Sequence, residues 1–109
     1  MATISEIKAT DGSTVLRLAG GLTYDGVTAV ARPLDAAVAA GGTVVVSLAD
    51  VSIVTTPGIS LLLSAHQRLA HAGGQLVLSA VPPNLRDLLR RCRLDRVFTF
   101  APGDAVPTG

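Results

Sequence analysis

The sequence holds one cysteine, no tryptophan, one tyrosine, two phenylalanines and a single lysine, Lys8, in 109 residues. A lone Cys92 excludes an intramolecular disulfide, and no Cys/His spacing of the kind zinc needs is present. A reducing, cytoplasmic setting is the one that fits. With aromatics at 3% and hydrophobic residues at 49%, the core must be built from Ala, Val, Leu and Ile. No apolar run approaches the roughly 20 residues that span a bilayer, and MATISEIKAT lacks the basic-then-apolar order of an export leader. Direct membrane insertion is therefore not expected. Charge of one sign is lacking too: nine basic against eight acidic residues leave a net charge of +1, which supplies no broad field for nucleic acid or an anionic membrane. Neither a Walker loop nor a G-x-S-x-G elbow occurs, so nucleotide hydrolysis and elbow-type nucleophilic catalysis have no support. No cofactor-binding pattern is present.

What is there reads as one α/β domain, a length that can bury one modest core. Ile4 to Ala9 and Ser13 to Ala19 flank Asp11-Gly12 as an opening hairpin would. After Gly20-Gly21, Val27, Val30, Ala31, Leu34 and Val38 fall at helical intervals, ending at Gly41-Gly42. Pro33 inside this stripe predicts a kink, or a helix that begins near it. TVVVSL, residues 43–48, lacks alternation and predicts a strand covered on both faces. The grammar then repeats: Ile59, Leu62, Leu63, Leu69 and Ala70 form a second helical stripe, closed by Gly73-Gly74 before QLVLS. AGGTVVVSL, residues 40–48, aligns without a gap on AGGQLVLSA, residues 72–80, at an offset of 32. A glycine helix end followed by a buried parallel strand asks for similar residues each time, so the echo reads as architecture. Pro82-Pro83 stops that strand. NLRDLLRRC supplies a third helix with Leu85, Leu88, Leu89 and Cys92 on one side, and a short strand around Val97 to Phe100 follows. The expected fold is a mixed sheet of about five strands, an N-terminal hairpin and then parallel helix–strand steps, with three or more helices against it. Residues 1–100 would form the domain and residues 101–109, APGDAVPTG, a flexible tail.

Thr55-Thr56-Pro57-Gly58 stands between a strand-like run and a helix-like one. Pro57 suits the first helical position and disfavours helical angles at the residue before it, so Thr56 is expected to be the N-cap. On that reading the hydroxyl is structural. The same geometry has a functional reading, because a helix N-terminus receives a phosphate favourably and one residue can be both cap and phosphoacceptor.

The order of elements, LRLAGGL, and the stretch VVVSLADVSIVTTPGISLLLSAHQRLAHAGGQLVLSAVPPNLRDLLRRCRLDRVF together resemble the STAS domain, found in anti-sigma factor antagonists and at the ends of sulphate transporters. The resemblance spans roughly Ile4 to Phe100. In antagonists of that family an Asp-Ser-Ser-Gly or Asp-Ser-Thr-Gly tetrapeptide opens the helix, and its first serine is phosphorylated by a kinase that doubles as the anti-sigma factor. Here Thr56 takes the place of that serine and Gly58 matches. Thr55 replaces the aspartate and Pro57 the following hydroxyl residue, while Ser47 falls where a second aspartate is usual. The resemblance implies a non-enzymatic, cytoplasmic protein-binding domain acting by partner switching on transcription. Its partner would be an anti-sigma factor kinase, met through Thr55, Thr56, Pro57, Gly58 and an exposed Leu61. Phosphorylation would fall on Thr56, with Thr55 as the neighbouring acceptor. The alternative is a STAS subunit of an ABC-type lipid transport complex, bound to a transporter ATPase without phosphorylation.

A third class, a small enzyme, would use His66 or the serines Ser60 and Ser64. His66 lies near the middle of the second apolar stripe, where a buried, hydrogen-bonded histidine is the plainer reading. His71 is five residues on, a spacing that does not bring two imidazoles onto one metal. Arg86, Arg90, Arg91, Arg93 and Arg96, against Asp87 and Asp95, are the one local charge excess. They read either as a solvated helix face or, through Arg86, Arg90 and Arg91, as a docking patch for an acidic partner. No aromatic residues interleave with them, which argues against single-stranded nucleic acid.

Overall fold

The expected hairpin, helices and strands all form, several with shifted ends, and the computed structural model describes residues 3–8 and 12–101. Strand β1 (Thr3–Lys8) pairs antiparallel with β2 (Thr14–Leu22). Helix α1 (Tyr24–Ala40) leads to β3 (Thr43–Val54), α2 (Thr56–His71) to β4 (Gln75–Ser79), and α3 (Pro83–Arg91) to the two-residue β5 (Thr99–Phe100). The strand order is β1-β2-β3-β4-β5, with β2 to β5 parallel. This is the mixed five-stranded sheet with three helices that the sequence predicts. The tail expected at residues 101–109 lies, from 102 onward, outside the described residues.

Each crossover moves one strand along in the same direction, and right-handed crossovers of that kind deliver all their helices to one face. Burial bears this out. Leu16, Val46 and Leu78, paired side by side in the sheet, are fully buried beneath the helices, as are Val44 and Leu76. Their neighbours Val15, Val45 and Val77 point the other way and are only half-buried, and Ile7 beside Val15 is 51% exposed. β3 is therefore covered on one face, not on both as its unbroken valine run predicts. Valine suits an extended backbone whether or not it is covered, so β-propensity imitated burial. One core cluster joins these strands to Val30 and Leu34 of α1, Leu62 and Leu69 of α2, and Leu85 and Leu89 of α3. Arg68 of α2 also pairs with Asp35 of α1 at the surface.

The offset of 32 residues has a geometric meaning. Thr43 pairs with Gln75, Val44 with Leu76, Val45 with Val77, Val46 with Leu78 and Ser47 with Ser79. The two similar segments are thus direct sheet neighbours in register. Their glycines meet as well: the Gln75 N–H donates to the Gly42 carbonyl at 3.1 Å, and a Cβ on Gly74 would overlap that same carbonyl.

Four further expectations are corrected. β2 runs through Gly20 and Gly21 to Leu22 instead of ending before them. Gly20 has a φ of 87°, and the β2–β3 register shifts there, as it does near Arg17, so the glycines bend the strand without ending it. α1 begins at Tyr24, well before Pro33, and passes through it. Pro33 and Ala29, whose carbonyl the missing N–H would have met, both lie on the exposed side, where solvent can reach that carbonyl. Cys92 is the exposed C-cap of α3 and not part of its apolar side. The last strand begins at Thr99, since Val97 and Phe98 donate their N–H groups to the Leu94 carbonyl in the preceding turn.

A one-sided sheet predicts unequal costs for truncation. Leu78→Ala should lose about 2–5 kcal/mol, whereas Val45→Ala, which removes fewer buried atoms, should lose about 1 kcal/mol or less. Urea denaturation of the two variants measures the difference.

Candidate functional site

The start of α2 is fixed by the end of β2. Leu22 pairs with Val54, and the Thr55 N–H donates to the Leu22 carbonyl at 3.1 Å, which holds Thr55 extended. The Thr55 carbonyl then accepts from the N–H groups of Gly58 at 2.9 Å and Ile59 at 3.1 Å. Thr55 is consequently the N-cap, Thr56 the first helical residue and Pro57 the second. The sequence places the cap one residue later. Strand pairing outweighs the preference of a residue preceding proline, and Pro57 is tolerated because a first-turn N–H has no helical partner to lose. Thr55 makes no side-chain cap bond; its hydroxyl only approaches the Leu22 carbonyl, at 3.5 Å.

Gly58 has a packing reason. A Cβ there would sit 2.5 Å from the Leu22 carbonyl oxygen, 2.8 Å from the Leu22 Cβ and 2.9 Å from a Val54 methyl. The first turn of α2 therefore lies directly on the β2 backbone at Leu22 and against the Val54 side chain of β3, and only glycine permits it.

The side chains fan out from this contact. Thr56 is exposed, Thr55 and Pro57 are half-buried and Gly58 is buried. Leu61, expected to be exposed, is half-buried and packs against the core. The helical wheel treats a helix as facing one partner, whereas α2 contacts both the sheet and α1. The first turn of α2 carries no acidic residue, so the positive end of its dipole is uncompensated from within. A cleft of about 560 Å³ opens between the α1 N-terminus and the ends of β2 and β3, lined by Gly21, Thr23, Asp25, Gly26, Ser52 and Ile53 among others, with Ile53 two residues before Thr55 along the chain. Tyr24, 78% exposed, precedes Asp25, and Ile53 in the cleft wall is 50% exposed. Sequence reasoning missed both. Tyr24 was readable as a lone tyrosine at a helix start, but the outward turn of Ile53 depends on a register shift that no periodicity announces.

The remaining candidates are scattered. Ser47 lies on the open face of β3 beside Arg17 and Ser79, eight residues before Thr55 along the chain, and does not border Thr56. His66 is partly exposed, with its ring edge-on to Phe98 at 5.6 Å; its buried Nδ1 has no hydrogen-bond partner, contrary to the hydrogen-bonded histidine expected. Ser60 and Ser64 are exposed, and two residues along a helix turn Ser64 about 200° away from His66. His71 is exposed at the last turn of α2. No group of three or more metal-ligating side chains occurs among the described residues. Arg86 lies over the Phe100 ring at 5.5 Å, Arg91 pairs with Asp87 at 3.2 Å, and Arg90 is exposed. No helix of the described residues is long and apolar enough to cross a membrane.

The family described as "Mlab, STAS domain" matches residues 5–100. The chain belongs to the STAS family. Among solved structures, an anti-sigma factor antagonist from Mycobacterium paratuberculosis is similar at 22% identity and a TM-score of 0.82, over 94% of this chain and 86% of that one. An anti-sigma factor antagonist (STAS) domain protein from Planctomyces limnophilus follows at 20% identity and 0.77, over 97% and 91%. The Bacillus cell fate determinant SpoIIAA in its phosphorylated form gives 20% and 0.71, over 94% of each. No curated protein matches the sequence. At these identities the likeness is one of STAS fold, and the geometry around Leu22, Gly58 and Thr56 is this chain's own.

Gly58→Ala is expected to destabilise by about 1–3 kcal/mol, because the clash is with backbone and a strand-end Cβ that cannot rotate away. Thermal unfolding of that variant beside Ser60→Ala, an exposed position on the same helix, provides the check.

Proposed function

We propose that this STAS domain is a non-enzymatic switch that binds an anti-sigma factor kinase and is controlled by phosphorylation at Thr56. The single observation that carries the reading is the exposure of Thr56 at the first residue of α2, on a helix start held rigidly by Gly58 against Leu22. A phosphate there would meet an uncompensated helix dipole. It would gain little from amides, since Pro57 has none and Gly58 and Ile59 already donate to Thr55. The added charge would act mainly outward, on the partner. The contact surface comprises Thr55, Thr56, Pro57, Gly58 and Leu61, widened by Tyr24 and Ile53 at the adjoining cleft. The anti-sigma factor antagonists of like fold support this reading, and so does the phosphorylated form of one of them. The protein would act in the cytoplasm on transcription.

The replacement of the family's aspartate by Thr55 favours a second reading, in which the same surface binds a transporter ATPase in a lipid transport complex and Thr56 is never modified. Capture of the full chain with its partner from the native cell, with mass spectrometry of Thr56, separates the two: a small kinase and a phosphothreonine support the first, a transporter ATPase and an unmodified threonine the second. With the purified kinase partner, Thr56→Asp is expected to weaken binding about tenfold or more while Thr56→Ala preserves it. Equal affinities by calorimetry would remove the switch.

A further inference from the structure

Residues 86–96 carry five of the chain's nine basic residues and two of its eight acidic ones, and the switch at Thr56 uses none of them. Arg86 and Arg91 are engaged within the molecule, over Phe100 and with Asp87. Arg90, Arg93 and Arg96 are exposed and form no ion pair among the described residues.

Arg93 has a backbone that its side chain does not suit. A left-handed residue follows each helix: Gly41 with a φ of 77° after α1, Gly73 with 84° after α2, and Arg93 with 60° after α3. The last two ends close alike, Gly74 N–H donating to the Leu69 carbonyl and Leu94 N–H to the Leu89 carbonyl, both at 2.8 Å. Glycine is the residue this conformation favours, and the chain uses it at the first two ends. At the third it keeps a strained backbone under an arginine whose exposed side chain forms no ion pair among the described residues, where Ala80, with a φ of 54°, is the other non-glycine residue so placed.

We propose that the arginine-bearing end of α3, through Arg90, Arg93 and Arg96, docks an acidic segment of a partner protein. The guanidinium forks match carboxylates in bidentate fashion. Asp87 and Asp95 stand within the patch and would repel a uniform polyanion such as a nucleic-acid backbone or an anionic bilayer. A protein segment can answer them with cations of its own. Phe98 is buried and Phe100 lies beneath Arg86, so no free ring is offered to bases. Val97, 39% exposed, is too small an apolar surface to hold a bilayer. Strands β3 and β4 are parallel, so α2 and α3 start at the same end of the sheet and the last turn of α3 lies toward the other. A partner held there leaves Thr56 accessible.

A fluorescent peptide of eight glutamates interrupted by two lysines, titrated into the full chain at low and at physiological salt and read by anisotropy, tests the proposal. Vesicles of mixed phosphatidylglycerol and phosphatidylcholine and a DNA duplex are run in parallel. Arg90→Ala/Arg96→Ala is expected to weaken peptide binding about tenfold, whereas Arg17→Ala/Arg32→Ala, which removes equal charge elsewhere, leaves it within about twofold. Arg93→Gly should weaken binding while raising the thermal midpoint. Thr56→Asp should bind the peptide as wild type does, which keeps this result independent of the switch. Equal loss in the two double variants, an Arg93→Gly protein that binds unchanged, or tighter binding to vesicles or DNA than to peptide would overturn the assignment.

Discussion

The contact between the first turn of α2 and the Leu22 carbonyl is the constraint on which the functional end of the molecule depends. One oxygen accepts the Thr55 N–H and lies against Gly58, so the end of β2, the end of β3 and the start of α2 are locked at a single point. Replace Gly58 by anything with a Cβ and α2 must lift off the sheet. Thr56 has a defined direction only because this contact exists: a residue with a flexible approach would present its hydroxyl nowhere in particular. Within Thr55-Thr56-Pro57-Gly58, the glycine is thus the residue whose loss no neighbour can absorb.

Much of the fold was legible because helix and strand periodicities agree with the turn residues between them. Of the two helical stripes, Val30, Leu34 and Val38 and Ile59, Leu62 and Leu69 are buried as expected, whereas Val27, Ala31 and Leu63 are only half-buried and Ala70 is exposed. The 32-residue echo went further than it seemed to, since it states the β3–β4 register itself. Where the reading failed, a tertiary contact overrode a local preference. Pro33 is harmless on a wet face, Gly20 and Gly21 bend a strand that glycine normally ends, and strand pairing moved the helix cap from Thr56 to Thr55. Val45 misled because one residue type serves both a covered and an open sheet face.

The candidate site was legible in part. The tetrapeptide lies where the sequence puts it, but its surroundings are assembled from segments about thirty residues apart. Ile53 turns outward into the cleft wall only because β3 shifts register against β2, while Tyr24 stands exposed at the start of α1. Leu61 was misjudged because α2 packs against the sheet and α1 together, which widens its buried arc beyond a single stripe. The strain at Arg93 is invisible in a string of letters, where one more arginine among four others looks like ordinary solvation.

The glycine pairs at the other end of the sheet have a bearing on how this chain can vary. Gly42 and Gly74 lie backbone to backbone across adjacent strands, so the two helix-to-strand turns are coupled in length. A residue added to either one would slide β4 along β3 and turn Leu76 and Leu78 outward together. Added length in either turn therefore has to be taken up without parting Gly42 from Gly74, which makes these two turns costlier places for an insertion than a turn whose backbone stands free.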